Sequence, residues 1–356
     1  MTNPGPDIQT SATARWETSI DVPTIASRLR SCKRVAILTH AKPDGDAIGS
    51  TLGLARTLAA VGVASTPFYL PPWPYRFDRV VRDTPVVQLG ADDSKHTIPW
   101  EPDAVVVLDT GSWSQLGGVE HWLHDHHEKT IVIDHHLHGD GDTAPAKLID
   151  TAASAACEIV AGVSVEMLGL ESAASLPVEI AEPLFMGIAT DTGWFRHSNT
   201  KPSTLRLVAD LLDTGVEHDR LFANIEQSDN ESRLRLFACA LSSLEMHAGS
   251  RVAVMSLRGA DFERTDAQPG DSGGFVEAPL AIAEVRVSAM VTETDWGATK
   301  ISLRSKPVGD EDAVDVNAIA REFGGGGHAR AAGLRIKKPF HEALEIISKT
   351  LAERVG

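Results

Sequence analysis

The 356 residues are enough for about two domains, and a hydrophobic content of 42% is ordinary for a globular protein with a substantial core. A formal charge of −16 opposes long nucleic-acid tracts, which need a basic surface to release counterions, but it permits a small anion held by metals and a few local cations. No apolar run approaches the roughly 20 residues that cross a membrane, so no membrane partner is expected.

Residues 1–20 begin MTNPGPDIQTSATAR, which has no apolar signal-peptide core and is read as a disordered tail. Cys32, Cys157 and Cys239 are odd in number and far apart, forming neither a disulfide framework nor a CxxC zinc site. A cytoplasmic location is expected on both counts. Residues 33–39, KRVAILT, form a predicted strand that runs into His40. Next, AKPDGDAIGS sets Asp44 and Asp46 on either side of Gly45, ahead of a predicted helix over 47–60. Capping a helix takes one carboxylate; this loop presents two, plus a histidine, which points to chemistry. Residues 63–70 read as another strand and PPWPYRF as a loop.

The clearest buried strand is DAVVVL, residues 103–108, whose valines suit a parallel sheet covered on both faces. It ends at Asp109. About one βαβ unit later, residues 130–133 form a short strand that stops at Asp134-His135-His136. Ligands of open α/β sheets bind beyond the carboxyl ends of the strands. Parallel strands here would gather His40, Asp109 and Asp134 at one edge. The same tripeptide occurs at Asp125-His126-His127, inside HWLHDHHEK, where no strand precedes it; that copy is read as a solvated helix end.

Residues 151–170 read as a helix, and the apolar EPLFMGIA, 182–189, leads to Asp191. A carboxylate ending a buried segment is costly unless paired or metal-bound. FRHSNT, 195–200, adds Arg196 and Asn199 to the candidates. From 249 onward RVAVMSL, VRVSAMVTET and ATKISLRSK read as strands, followed by four glycines, 324–327, and His328. Four consecutive glycines make sense where backbone amides must approach an anion closely. The expected fold is α/β: a mainly parallel sheet with flanking helices over 21–200, a helical connector over 201–248, and a smaller mixed α/β domain over 249–356.

Carboxylate and imidazole donors without cysteine favour manganese, magnesium, iron or zinc over a thiolate site. If Asp44, Asp46, Asp109 and Asp191 converge, two divalent cations cancel their charge, and paired metals about 3.5–4 Å apart suit displacement at phosphorus. Asp134 would orient a ligand histidine.

In order, HAKPDGDAIGS, the LDTGS around Asp109, Asp134-His135-His136, GIATDTG, SLRS and GGGGHARAAG resemble the DHH phosphoesterase family and its associated C-terminal domain. The likeness runs from about Val35 to Leu334 and is greatest to the branch of bacterial oligoribonucleases that also act on 3′-phosphoadenosine 5′-phosphate. It implies two divalent cations, with manganese the family's usual ion. His40, Asp44 and Asp109 would hold one; Asp46, Asp109, His135 and Asp191 would hold the other. His136 would contact the scissile phosphate or protonate the leaving oxygen. Arg304, Gly325, Gly326, Gly327 and His328, with Arg196 and Asn199, would grip the rest of the substrate in a cleft between domains. The reaction implied is attack of a metal-bound hydroxide on short RNA or linear dinucleotides, releasing nucleoside monophosphates, and on 3′-phosphoadenosine 5′-phosphate, releasing AMP. Oligomeric state is left open, a homodimer included. Competing readings are a cyclic dinucleotide phosphodiesterase, an inorganic pyrophosphatase and a non-catalytic nucleotide sensor. The strand-rich second half speaks against the pyrophosphatase, and the full set of metal donors against the sensor.

Overall fold

The computed structural model describes residues 15–90, 96–294, 297–306 and 314–355. It divides into two compact units between Ser228 and Asp229. The first contains α1 (Val22–Arg30), β1 (Arg34–Thr39), α2 (Gly45–Ala60), β2 (Ala64–Tyr69), α3 (Asp78–Val81), β3 (Val87–Gln88), β4 (Ala104–Leu108), α4 (Glu120–Asp125), β5 (Thr130–Asp134), β6 (Ala146–Ile149), α5 (Ala156–Leu168), α6 (Val178–Asp191), α7 (Pro202–Asp213) and α8 (His218–Glu226).

Its six strands lie in the order β3-β2-β1-β4-β5-β6, every neighbouring pair parallel. The chain winds outward from β1 in one direction through β2 and β3, then outward in the other through β4 to β6. Adjacent β1 and β4 therefore form the switch point at which such sheets bind ligands. Alternation along the strands explains why they read as unbroken apolar runs. Val35, Ile37, Val106, Leu108, Ile131 and Ile133 join one core with α2, α5 and α6, while Ala36, Leu38, Val105, Val107 and Val132 join another with Trp122 and Leu123 of α4. Both faces are covered.

The apolar stretch 182–189 belongs to α6, which continues through Pro183 and delivers Asp191 as its last residue. Of the segment read as a disordered tail, residues 1–14 lie outside the described residues. Residues 18 and 19 run along β6: Thr18 Oγ1 donates to the Ile149 carbonyl at 2.7 Å and Ser19 N to the Lys147 carbonyl at 2.7 Å.

The second unit holds α9 (Glu231–Ser242), β7 (Glu245–His247), β8 (Val252–Leu257), α10 (Gly259–Thr265), β9 (Val287–Glu293), β10 (Thr299–Ser305), α11 (Val316–Glu322), β11 (Gly326–His328), β12 (Ala331–Ile336) and α12 (Phe340–Val355). Its six-stranded sheet runs β11-β12-β10-β9-β8-β7, with β8 and β9 parallel and the other pairs antiparallel. Helices α11 and α12 cover one face; Leu236 and Ala240 of α9 pack with Met255, Leu257 and Met290 on the other. The residues read as a connector thus carry three helices, two in the first unit and one in the second. Among the described residues, no helix is long and apolar enough to cross a membrane.

Candidate active site

Strand register builds the site. Thr39 of β1 pairs with Leu108 of β4, and Leu108 pairs with Ile133 of β5. The next residue in each strand's chain is His40, Asp109 and Asp134, so three chemically active side chains leave neighbouring strands at one level. Asp109 takes a left-handed backbone, φ 61°, which aspartate tolerates better than most residues. Its amide still donates to the Ile133 carbonyl at 3.1 Å.

Asp109 is the hub. Its Oδ2 lies 3.4 Å from His40 Nε2, and its Oδ1 lies 3.4 Å from His135 Nε2 and 3.8 Å from His136 Nδ1. Asp44 caps α2, its Oδ1 accepting from the amides of Asp46 and Ala47 at 3.1 Å each, and stands 3.8 Å from His40 Nε2. His40 Nδ1 is 2.9 Å from the Ala41 carbonyl; donating there leaves Nε2 facing the acids. Asp46 and Asp191 approach from the other side, 3.7 and 4.0 Å from His135 Nε2. Asp134 accepts from the amides of His135 and His136 and from His136 Nδ1, at 2.7, 3.2 and 2.7 Å, and so orients the rings that follow it.

Six of the predicted donors therefore gather: His40, Asp44, Asp46, Asp109, His135 and Asp191. Tight groups that could hold an ion are His40 with Asp44 and Asp109, and Asp109 with Asp134, His135 and His136. The second group draws in Asp134 and His136 where the sequence reading had Asp46 and Asp191.

Charge crowding sets the proton affinities. Burial favours neutral His40, but Asp109 and Asp44 outweigh it and push the ring up to about 11. His135 rises to about 10 because Asp109, Asp46 and Asp191 overcome the same burial penalty. Burial would raise Asp109, yet the two rings hold its carboxyl well below the usual range. Asp46 is pushed well up by burial and then by the charges of Asp109 and Asp191; burial likewise lifts Asp191 to about 6. His136 is raised chiefly by its bond to Asp134. The cluster thus demands positive charge, and the two imidazoles supply it as protons. Asp109 Oδ1 is buried without a hydrogen-bond partner. Oxygen and imidazole donors around an unmatched buried carboxylate oxygen fit a divalent cation.

Three supports were not foreseen from the sequence. Both oxygens of Asp46 accept from the first amides of α5, Ala156 at 2.6 Å and Cys157 at 2.9 Å, which fixes this carboxylate against a helix N-terminus. The fit is tight: a Cβ on Gly187 would stand 2.2 Å from Cys157 Sγ and 3.0 Å from Asp46 Oδ1. Trp16 donates from Nε1 to the His136 carbonyl at 3.0 Å, and its ring fills the space a Cβ would need at Gly111 and Gly139. It wedges the loop after Asp109 against the loop after His136. A lone tryptophan in a polar N-terminal stretch carries no local signal of that role. Finally, Asn199 gives its amide to the Asp191 carboxylate at 3.3 Å and to the Ser154 carbonyl at 3.1 Å, a bracing position. Arg196 Nε donates to the Gly193 carbonyl at 2.7 Å.

The remaining candidates lie in the second unit. Arg304 of β10 reaches Glu277 at 3.4 Å, and His328 of β11 is exposed. Gly326 and Gly327 pair with Gly333 and Ala332, so part of the glycine run is strand. A Cβ on Gly325 would stand 2.3 Å from the Gly333 carbonyl, and one on Gly327, at φ 150°, would stand 2.4 Å from the Ala331 carbonyl. Close strand packing alone accounts for glycine at these two positions.

The second Asp-His-His copy ends α4. Asp125 is exposed, His127 bonds Glu128 and the Asp142 carbonyl, and His126 stacks on Trp122 with 4.0 Å between centroids while Nε2 meets Glu101 at 3.1 Å. His126 is thus packed rather than solvated. Among the described residues, no metal-binding group forms there.

Comparison with known proteins bears on this arrangement. The DHH family N-terminal domain matches residues 34–188, and the DHHA1 domain matches residues 249–356. The bifunctional oligoribonuclease and PAP phosphatase NrnA of Thermus thermophilus is 32% identical over 328 residues, covering 89% of this chain and 90% of that protein. Its namesake from Bacillus subtilis is 26% identical, covering 83% and 87%. Among solved structures, an exopolyphosphatase-related protein from Bacteroides fragilis superposes with a TM-score of 0.83 at 26% identity, over 93% of this chain and 95% of that one. An exonuclease RecJ bound to manganese, at 18% identity and a TM-score of 0.51 with 94% of each chain covered, shares the fold.

Proposed function

Because the chain belongs to the DHH phosphoesterase family, we propose that it hydrolyses short oligoribonucleotides to nucleoside monophosphates, and 3′-phosphoadenosine 5′-phosphate to AMP. The carrying observation is the convergence of Asp44, Asp46, Asp109 and Asp191 with His40 and His135 around the unmatched Asp109 Oδ1. The two named NrnA relatives, each aligned over most of this chain, support that substrate class.

We assign two divalent cations, manganese foremost, to this cluster: one to His40, Asp44 and Asp109, the other to Asp46, Asp109, His135 and Asp191. When bound, such cations neutralise the acids, polarise phosphoryl oxygens and make water acidic enough to attack at neutral pH. The chain's own residues do the rest. Asp134 pins Nδ1 of His136, leaving Nε2 of this half-exposed ring to contact the phosphate or give a proton to the leaving oxygen. The α5 amides hold Asp46, and Asn199 holds Asp191, so the acids stay in place without a rearrangement on substrate binding. Arg304, His328 and the neighbouring glycines are proposed substrate contacts.

Substrate length follows from charge. A chain at −16 repels the phosphates of a long strand, and a processive nuclease needs a basic channel with stacking aromatics. With 5% aromatic residues and no long basic run in the sequence, the expected preference is for about two to five nucleotides, the range the family resemblance suggests. A ladder of single-stranded RNAs with manganese, scored by kcat/KM at fixed ionic strength, tests this. Efficiency that holds or rises with length would refute it.

A further inference from the structure

A cavity lies in the first unit, away from the acid cluster. It has a volume of about 500 Å³ and is lined by Arg79, Val80, Arg82, Glu182, Arg220, Leu221 and Asn224. Glu182 precedes Asp191 by nine residues on α6, which at 1.5 Å per residue separates them by about 13 Å along the axis.

The wall is cationic in a chain with 49 acidic and 33 basic residues. Among the described residues Arg79 hydrogen-bonds a neutral partner, the side-chain Oδ1 of Asn224, at 2.5 Å. Arg82 pairs with Glu182 at 2.6 Å and Arg220 with Glu217 at 3.0 Å, both arginine side chains at least half exposed. Acids outnumber bases by half overall, yet among the described residues the Arg79 guanidinium in this lining has no carboxylate partner. Among the described residues Glu182 is the one carboxylate lining the cavity. Guanidinium forks match phosphate oxygens, and a carboxylate in the same lining suits a hydroxyl or amino group on the same molecule. The volume is in the range of small-ligand sites.

We propose that this cavity between α3, α6 and α8 binds a small phosphate monoester that also carries hydrogen-bond donors, of the size of a mononucleotide or sugar phosphate. The phosphate lies against Arg79 and Arg220, and the donor-bearing part faces Glu182. The site is independent of the hydrolytic one.

The test is calorimetric titration of the full-length chain with AMP, ribose 5-phosphate, inorganic phosphate and adenosine, first without metal and then with manganese. Metal-free binding of AMP or ribose 5-phosphate that the arginine variants weaken and Asp109→Asn does not reports the arginine cavity rather than the acid cluster. AMP binding tighter than ribose 5-phosphate identifies a nucleotide; equal binding identifies the sugar phosphate; either supports the proposal. Arg79→Ala and Arg220→Ala should each weaken metal-free binding tenfold or more, with Arg79→Lys intermediate, while Asp109→Asn leaves it unchanged. Thermal melts check that the variants fold, and wild-type amide shifts on titration should centre on α3 and α8. Metal-free binding that is absent, that survives both alanine variants, that is lost in Asp109→Asn, or that is as tight for adenosine as for AMP would overturn it. RNA hydrolysis is read separately, so loss of one activity leaves the other reading standing.

Discussion

Asp125-His126-His127 and Asp134-His135-His136 are the same three residues nine positions apart, and they do different things. The first ends a helix, where its rings are consumed by packing on Trp122 and by bonds to Glu101, Glu128 and backbone. The second ends a central strand beside the switch point, where a buried Asp134 aims the rings at acids delivered by β4, α2 and α6. Donor identity does not gather such a cluster. Register does, because parallel strands set their carboxyl ends side by side, and helices that start or stop at that edge add further donors.

The largest effect should come from breaking the second copy. His135→Ala or Asp109→Asn is expected to lower kcat/KM on a dinucleotide by on the order of a thousandfold or more, with metal content reduced in both. An unchanged rate in His135→Ala, together with loss in His126→Ala, would invert the comparison.

Proton release sharpens it next. In the metal-free chain His40 and His135, raised to about 11 and about 10, hold protons at neutral pH. Their stabilising contribution is complete below the ordinary imidazole value of 6.5 and is lost as pH climbs through about 10 and 11. A cation at these ligands would displace the protons, so manganese affinity should rise with pH, and binding at pH 7 should release at least two protons, with any held by Asp46 adding to them. Calorimetry in buffers of different ionisation enthalpy measures the number. Zero release would contradict the assignment of these rings as ligands, whereas His126→Ala should leave the number unchanged.

Trp16→Ala should be milder. It removes the wedge between the loop after Asp109 and the loop after His136, and manganese affinity should fall by about tenfold, as is usual when a support behind a ligand such as Asp109 is lost. Trp16→Phe, which keeps the ring but not the N–H, should fall between. Wild-type affinity in the alanine variant would mean the loops hold themselves.

The smallest effect belongs to the helix-end copy. His126→Ala should cost about 1 kcal/mol of stability through its lost hydrogen bonds and stacking, and change turnover less than about twofold. Thermal melts and steady-state rates check both halves.

What the chain determines by itself is local. Valine-rich runs closed by Asp or His mark strand ends, and Asp44-Gly45-Asp46 before a helix marks a loaded turn, because pleat alternation, burial and capping act over a few neighbours. The two Asp-His-His copies could be told apart on the same basis, by the strand before one and its absence before the other. The packing of His126 could not, since Glu101 lies 25 residues away. The tertiary structure alone decided the partners that join distant segments. Asp46 is fastened by amides 110 and 111 positions on, His136 by a tryptophan 120 positions back, and Asp191 reaches the cluster on a helix that runs through Pro183. Each of these depends on where a folded chain returns to itself, and nothing in the neighbouring residues of Asp46, Trp16 or Asp191 encodes that return.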